Sequence, residues 1–296
     1  APIGRAYALL LEGAWGSRLA LSETFTRATP LILTGLAAAV AFRARLFNIG
    51  AEGQLYLGAL AAVAVAGPFA AGTWAVPAPV AFVLMIAAGM LAGALALLLP
   101  AWLKTGFGVD EVVTTLLLNF IALLFVSMML DGPMKDPTAM GWPQSVAVPP
   151  ELEFGRWFER SRVHTGLGLA LALAVLAWVV ERWTVFGVAM RAVGAQARAA
   201  AFAGFPVRRV MLATALASGA LAGLAGVGEV AGRAGYLTLD MSPGYGYAGI
   251  VIAMLAGLHP LGVVAAALFV SSVLVGADSM SRTLAVPSYL ADVMVA

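Results

Sequence analysis

Two short polar segments interrupt long apolar stretches of this chain, and they carry side chains that could bind a polar solute. The first, residues 46–55, contains Asn48, Glu52 and Gln54 together with two glycines. A carboxylate near a membrane is costly and usually faces a cavity, a partner or water. Irregular backbone, which glycine permits, is tolerated at membrane depth only where it lines protein or a polar path. The alternative is a short turn with Glu52 at a helix N-terminus, where its charge suits the helix dipole.

The second segment, residues 108–119, opens a predicted helix with two acids, which is the end of a helix that favours them. Polar side chains at helical spacing lie on roughly one face: Glu111, Thr114, Thr115 and Asn119. This stripe indicates the lining of a pathway, although Thr and Asn also commonly form hydrogen bonds between helices. The predicted pathway residues of the two segments are Asn48, Glu52, Gln54, Glu111, Thr115 and Asn119.

A third segment, residues 190–204, is rich in alanine, contains two arginines and ends in glycine followed by Phe205 and Pro206. Alanine favours helix, and glycine followed by proline commonly ends one. We expect one short helix over 190–204 that docks on a cytoplasmic partner; the alternative is a surface helix on anionic headgroups. Because small side chains would let it sit in a groove, Gly194→Trp is expected to block docking without unfolding the membrane helices. The expected docking residues are Arg191, Gly194, Ala195, Arg198 and Gly204.

The sequence lacks the residues that thiol chemistry, nucleotide binding or metal binding would need. The chain has no cysteine and no Gly-Lys pair, so thiol chemistry and a P-loop nucleotide site are excluded. The two histidines, His164 and His259, stand alone without metal-ligand spacing, and no nucleophile is paired with a base. A net charge of +2 does not suggest nucleic-acid binding. We therefore expect no enzyme activity, no metal and no cofactor.

The composition indicates a membrane protein. Of the 296 residues, 62% are hydrophobic and 11% are charged, whereas soluble domains are about 45–50% apolar and about 25% charged. A helix needs about 20 mostly apolar residues to cross a bilayer. The candidate spans are 28–42, 53–71, 77–101, 112–130, 164–181, 210–228, 247–258 and 261–277, and residues 1–27 could form an interfacial helix that ends near residue 22.

Some candidate spans are short or interrupted. The first ends abruptly at Arg43 and Arg45, and the last two are separated by residues 257–260, where Gly and Pro break the helix. The glycine-rich residues 244–249 predict a half-helix that enters the membrane from outside. Counting basic residues in loops places 183–209, Arg43, Arg45 and Lys104 in the cytoplasm and 131–163 outside.

An internal repeat is visible in two predicted spans. Residues 88–93 (AGMLAG) are similar to residues 218–223 (SGALAG), and the two helices are expected to cross in opposite directions. Inverted repeats recur in transporters, with the solute site between the halves. Small-residue patterns also arise simply where helices pack closely.

Taken together, residues 47–54, 110–119, 191–194, 218–223 and 257–262 resemble motifs of bacterial ABC importer permeases. The branch is the one that serves simple sugars, branched-chain amino acids and nucleosides, and nucleoside-type permeases are the most similar. The resemblance covers about residues 23–291. Arg198 departs from the family pattern, because in those permeases the loop that follows the glycine at position 194 is often more polar.

This resemblance implies an all-α, polytopic transmembrane helical bundle of the type II-like importer fold, with an inverted repeat and interrupted helices. It implies a channel-forming subunit in the cell inner membrane, paired with a second permease subunit, two ATP-binding subunits and an extracytoplasmic substrate-binding protein. Residues 183–209 would form the loop that couples to the ATPase. We expect residues 1–296 to form a single permease domain that lacks the first and last membrane helices.

The substrate expected from this resemblance is a nucleoside, and a simple sugar or a branched-chain amino acid is the alternative within the branch. A secondary transporter driven by an ion gradient is a different possibility. It would need ionisable groups buried within helices, and the predicted apolar segments contain almost none, since Glu111 and Glu229 are expected at helix ends.

Overall fold

A computed structural model describes residues 3–158 and 161–284, and their regular structure is helical apart from two isolated β-bridges. Seven helices in these ranges are long and apolar enough to cross a membrane, which confirms the predicted all-α, polytopic fold. The apolar stretch 290–296 lies outside the described residues. The helices are α1 Ile3–Trp15, α2 Arg18–Arg43, α3 Ala51–Ala70, α4 Ala78–Phe107, α5 Glu111–Asp131, α6 Gly166–Trp183, α7 Val185–Ala195, α8 Ala197–Phe202, α9 Val207–Glu229, α10 Tyr245–Leu255 and α11 Pro260–Leu284, with a 3-10 turn at Pro150–Leu152 and a π-helical turn at Val230–Ala234.

The helix α2 is longer than the sequence predicts. It begins at Arg18 rather than near residue 28, because the Ser17 hydroxyl accepts a hydrogen bond from the Ala20 N–H at 3.0 Å and caps its N-terminus. The added turns contain buried Thr26, whose hydroxyl donates to the Ser22 carbonyl oxygen, and buried Thr24, whose hydroxyl donates to the Ala14 carbonyl oxygen. Since these bonds satisfy the hydroxyls, a polar stretch is buried among other helices. The predicted end of the first helix near residue 22 is therefore wrong, since α1 ends at Trp15 and α2 begins at Arg18; that α1 is interfacial stays a prediction.

The helix α9 also continues beyond its predicted end. Residues Val230–Ala234 add a π-helical turn, which ends at Gly235 with φ +78°. Glu229 is the last residue of the α-helical part, as expected, but the π-helical turn continues the apolar span to Ala234 and places Glu229 within it. Single π turns within α-helices occur frequently at functional sites.

The helices α3, α4 and α9 pack closely through glycines. A Cβ on Gly93 would lie 2.2 Å from the Gly219 carbonyl oxygen, and a Cβ on Gly223 would lie 2.2 Å from the Gly89 carbonyl oxygen. The order of these contacts is antiparallel, which confirms the predicted opposite directions of the two repeated segments. The segments pack directly on each other, as the small-residue interpretation requires. That they form an inverted repeat stays a prediction.

The long segment between α5 and α6 is tied to the end of α9. The Ser145 N–H donates to the Leu237 carbonyl oxygen at 3.0 Å, and the Phe154 N–H donates to the Ala231 carbonyl oxygen at 2.9 Å. His164, only 1% exposed, lies against the backbone of Gly232 in the π-helical turn. Neither ring nitrogen of His164 has a hydrogen-bond partner among the described residues. Burial lowers the pKa of His164 to about 4.

Gly223→Ala is expected to destabilise the protein, because the added methyl group would collide with backbone atoms of α4. Overpacking of this kind costs roughly 1–3 kcal/mol. Gly228→Ala on the same helix is the matched control, since no atom lies within 4 Å of its added methyl group. The thermal unfolding midpoint of the detergent-solubilised protein should fall for Gly223→Ala and stay level or rise for Gly228→Ala. Equal midpoints for the two variants would contradict the close packing.

His164 should make the protein less stable in acid. Because its pKa falls from 6.5 to about 4 on folding, the unfolded chain binds the proton more readily, and its neutral form stabilises the folded state fully above pH 6.5. This stability, on the order of 3 kcal/mol, should be lost as the pH falls from 6.5 towards 4. Thermal unfolding at pH 7 and pH 5 should show a larger decrease for the wild type than for His164→Phe. A decrease of the same size in both would exclude His164 as its source.

Candidate functional site

The first interrupted region lies between α2 and α3, where residues 44–50 form no helix. Arg45 has φ +53°, so the chain turns sharply as α2 ends. The Leu46 N–H still donates to the Ala41 carbonyl oxygen, and the Asn48 N–H donates to the Leu46 carbonyl oxygen, each within 3.1 Å. The N–H groups of Phe47, Ile49 and Gly50 have no backbone partner and are satisfied by side chains.

The polar face of α5 supplies those partners. The Glu111 carboxylate accepts from the Phe47 N–H at 3.2 Å, and the Thr115 hydroxyl accepts from the Ile49 N–H at 3.3 Å. The Asn119 amide accepts from the Gly53 N–H and donates to the Ile49 carbonyl oxygen, both at 2.8 Å. The stripe predicted at every fourth residue therefore exists, and its side chains bind interrupted backbone. This geometry agrees with the helix-to-helix hydrogen bonding that was the alternative to a pathway lining.

Two side-chain amides bind each other at the start of α3. The Asn48 amide donates to Gln54 Oε1 at 2.9 Å, and the Gln54 amide donates to Asn48 Oδ1 at 2.8 Å. Asn48 also donates to the Ser218 hydroxyl at 3.1 Å, and Ser218 donates to the Ala37 carbonyl oxygen at 2.7 Å. These amides thus connect the interrupted segment to α9 and α2 in the middle of the bundle.

The second interrupted region precedes α10, and its end meets the start of α3. The chain turns at Gly244, with φ +90°, and the Ser242 hydroxyl accepts from the Tyr245 N–H at 3.0 Å. The next N–H, that of Gly246, donates to the Glu52 carboxylate at 2.6 Å. Glu52 is 4% exposed and belongs to the first turn of α3. One buried carboxylate therefore lies at the N-termini of two helices, where both dipoles favour its charge.

Tyrosines of α3 and α10 complete the contact between the two regions. The Tyr56 hydroxyl donates to the Leu239 carbonyl oxygen at 2.6 Å and accepts from the Ser242 N–H at 3.2 Å. The Tyr247 hydroxyl lies 3.1 Å from the Asn119 amide nitrogen, which donates to it. A short helix, α10, is observed where residues 244–249 predict a half-helix, and its first turn contacts the first polar segment.

The structure brings the six predicted pathway residues into one buried cluster. All of them are at most 6% exposed. Gln54 and Thr115 also line a 170 Å³ cleft between α3, α4 and α5, whose other walls are mostly apolar, including Leu99 and Phe125. At the cytoplasmic end predicted from the sequence, Glu111 forms an ion pair with Lys104. Whether the cluster touches a solute stays a prediction.

A charged cavity that the sequence did not predict lies near the opposite end of the bundle. Its volume is 920 Å³, and a neighbouring cavity of 580 Å³ shares part of its wall. Arg27 forms an ion pair with Asp278 at 2.7 Å and with Glu23 at 3.2 Å. Glu23 and Arg27 both lie within α2, in its polar first turns. These turns precede residue 28, where the predicted apolar span begins. The four side chains shared by the two cavities are Arg27, Arg162, Arg233 and Asp278.

The π-helical turn contributes to the same cavity. Arg233 lines it and binds the fully buried Glu229 at 3.0 Å and the Tyr245 hydroxyl at 3.3 Å. The predicted apolar segments 28–42 and 210–228 hold no ionisable groups, and these ion pairs lie where α2 and the α9 span extend beyond them. Their spacing of four residues, Glu23 with Arg27 and Glu229 with Arg233, is the signal that could have revealed them.

The predicted helix over 190–204 is two helices rather than one. The backbone at Gln196 is extended, with φ −157° and ψ 101°, so α7 ends at Ala195 and α8 begins at Ala197. Gly204 closes the segment with φ +87°. Alanine favours helix on both sides, but the break turns α8 away from the direction of α7.

The packing of Gly194 also differs from the expectation. A Cβ there would lie 1.9 Å from the Arg43 carbonyl oxygen, so Gly194 packs on the end of α2 in its own chain. The expectation that Gly194→Trp leaves the membrane helices intact is therefore wrong, because the indole would displace α2. Arg191 likewise binds the Glu181 carbonyl oxygen within the chain. The other expected docking residues, Ala195, Arg198 and Gly204, are exposed.

Comparison with known proteins agrees with this architecture. A family model described as the permease component of branched-chain amino acid transport systems matches residues 20–295. The glucose ABC transporter permease protein TsgB13 of Haloferax volcanii is 37% identical over 98% of this chain and 77% of its own length. The guanosine ABC transporter permease protein NupP of Bacillus subtilis is 36% identical over 99% of this chain and 84% of its own length. The nucleoside ABC transporter permease protein NupB of Lactococcus lactis is 31% identical over 93% of this chain and 77% of its own length. No solved structure gave a significant match.

Asn119→Ala is expected to destabilise the protein, because it leaves the buried Gly53 N–H and Ile49 carbonyl without their partner. An unsatisfied buried group costs about 1–3 kcal/mol. Thr114→Ala is the matched control, since its hydroxyl bonds only the preceding turn of α5. The unfolding midpoint should fall clearly for Asn119→Ala and little for Thr114→Ala. A wild-type midpoint in Asn119→Ala would show that the interrupted segment does not depend on α5.

Proposed function

We propose, since the chain belongs to the family of permease components of branched-chain amino acid transport systems, that it carries nucleosides through an ATP-driven importer. The chain is a multi-pass membrane permease of an ABC transporter, a transport subunit rather than an enzyme. It works with ATP-binding and substrate-binding partners. This membership excludes the ion-gradient alternative, because ATP hydrolysis by the partners supplies the energy.

The buried amide cluster is the observation that carries the proposal for the substrate. Asn48, Gln54 and Asn119 meet where α3 and α10 begin, and they offer donors and acceptors without net charge. A nucleoside is neutral and polar, so it needs a few hydrogen-bonding groups and no strong opposite charge. Because two interrupted helices meet at this cluster, a small shift of α10 would expose these groups to a solute.

The names of the relatives support a nucleoside and keep a sugar as the second candidate. The guanosine and nucleoside permeases are 36% and 31% identical to this chain, and the glucose permease is 37% identical. These identities are too close to distinguish the substrates. Glucose is also neutral and rich in hydroxyls, so the same amide cluster could bind it.

The assembly that we propose contains two permease subunits and two ATP-binding subunits in the cell membrane, with a substrate-binding protein outside. The helices α4 and α5 expose a row of large apolar side chains, including Leu91, Leu95, Leu117, Phe120 and Leu124. Such a face needs lipid or a second permease subunit to cover it. The second permease can be a copy of this chain or a related one.

The test of the substrate measures ATP hydrolysis by the reconstituted transporter with its binding protein. Guanosine, glucose and leucine are added separately, and uptake of each labelled compound is measured in parallel. We expect guanosine to stimulate hydrolysis and to accumulate inside the vesicles. Stimulation by glucose alone would identify a sugar rather than a nucleoside as the substrate. Uptake without ATP-binding subunits would contradict the proposal that ATP hydrolysis drives the import.

The loop between α6 and α9 is proposed to dock on an ATP-binding subunit through α8. Its inner side is fixed by Ala200 and Val193, which pack with Met211 of α9. Its outer side carries Phe202, which is 97% exposed, beside the exposed Arg198. An exposed aromatic side chain next to an arginine is typical of the residues that dominate protein interfaces.

Phe202→Ala should therefore uncouple the transporter. We expect substrate-stimulated ATP hydrolysis to fall at least about tenfold, because an anchoring aromatic contributes 2 kcal/mol or more to an interface. Val185→Ala is the control, since Val185 is 82% exposed on α7 but lies outside α8. The thermal midpoint of the isolated permease should be unchanged in both variants. Full stimulation in Phe202→Ala would place the docking surface elsewhere.

A further inference from the structure

A basic cleft lies between the end of α6 and the junction of α10 with α11, apart from the amide cluster and from the exposed face of α8. Its volume is 320 Å³. The wall combines three arginines and a histidine with one carboxylate and one indole. These lining residues are Arg43, Trp178, Glu181, Arg182, Arg191, His259 and Pro260.

The positive charge of this cleft is not balanced by its own residues. Glu181 is its only carboxylate among the described lining residues, and it forms an ion pair with Arg43 at 2.5 Å. Arg191 binds the carbonyl oxygen of Glu181, which fixes its guanidinium at the cleft. Arg182 is exposed and has no hydrogen bond or ion pair with any described residue. The planar guanidinium of Arg191, fixed in this way, and the unpaired guanidinium of Arg182 can each donate two parallel N–H bonds to the oxygens of a phosphate.

The surroundings of the cleft indicate where the phosphate comes from. On one side, α6 exposes Val175 and Leu176, which are 49% and 54% accessible. On the other side, α10 exposes Met254 and Leu255, which are 62% and 60% accessible. Apolar side chains that flank a basic cleft match a lipid, whose acyl chains lie beside its headgroup.

An aromatic pair places the cleft at the edge of the bilayer. The indoles of Trp178 and Trp183 contact each other edge to face, with ring centroids 4.7 Å apart, and Trp183 is 67% exposed. Tryptophan is enriched at the boundary between hydrocarbon and water. The orientation expected from the basic loops puts this end of α6 on the cytoplasmic side, where anionic lipids bind basic pockets between helices.

We propose that this cleft binds the phosphate headgroup of an anionic phospholipid at the cytoplasmic surface. Arg182 and Arg191 would contact the phosphate, and the apolar faces of α6 and α10 would contact the acyl chains. A zwitterionic lipid fits less well, because the only carboxylate in the cleft already binds Arg43 and leaves no partner for a choline. The bound lipid would hold α6, α7 and α10 together beside the docking loop.

Native mass spectrometry of the detergent-solubilised permease tests the proposal without any need for transport activity. The protein is incubated with phosphatidylglycerol or with phosphatidylcholine, and bound lipid is counted for the wild type, Arg182→Gln and Arg209→Gln. Arg209 is the matched control, since it is exposed on the same side of the molecule but outside the cleft. A parallel sample contains millimolar inorganic phosphate.

We expect phosphatidylglycerol to bind about tenfold more tightly to the wild type and Arg209→Gln than to Arg182→Gln, since a charge-assisted contact is lost. Phosphatidylcholine should bind all three alike and weakly, and inorganic phosphate should not displace the lipid. Equal retention of phosphatidylglycerol by all three proteins would overturn the proposal. Displacement by inorganic phosphate would instead identify a site for free phosphate.

Discussion

The structure depends on satisfying backbone hydrogen bonds where two membrane helices are interrupted. Lipid offers no partner for a free N–H or carbonyl, so a break in a helix at membrane depth needs donors and acceptors from the protein. The face of α5 that carries Glu111, Thr115 and Asn119 provides them for residues 47–53. Glu52 provides one for the start of α10. This requirement explains why the polar residues of an otherwise apolar chain gather in one place.

The glycine contacts around α9 follow from the same geometry. The interrupted segments are short, so α3 must start close to the middle of α9, and only small residues allow that approach. Gly58 and Gly226 bring α3 so near α9 that an added Cβ would lie about 2 Å from a backbone carbonyl. The amide pair of Asn48 and Gln54 then reaches Ser218 across this contact. Close packing and polar satisfaction are therefore two parts of one arrangement.

Much of this could be predicted from the sequence, because apolar length and helix-breaking residues act locally. The spans, the break at residues 257–260 and the half-helix after Gly244 all follow from such local signals. The early start of α2 could not, since a polar residue such as Thr26 is buried there with its hydroxyl bonded to its own helix. The pairing of Glu52 with Gly246 joins residues 194 positions apart, which no local pattern contains. Likewise, the contact of Gly194 with Arg43 depends on how two helix ends meet.

That last contact has a mechanical consequence. Gly194 touches the carbonyl of Arg43 and the Cα of Ala44, and Ala44 is the first residue of the interrupted segment. Docking of an ATP-binding subunit on α8, as proposed, would reach this point through α7. Because Gly194 has no side chain, a displacement of α7 would pass directly from its backbone to that of residues 43–44. A movement of the ATP-binding subunit would thus be passed to Ala44, four residues before Asn48.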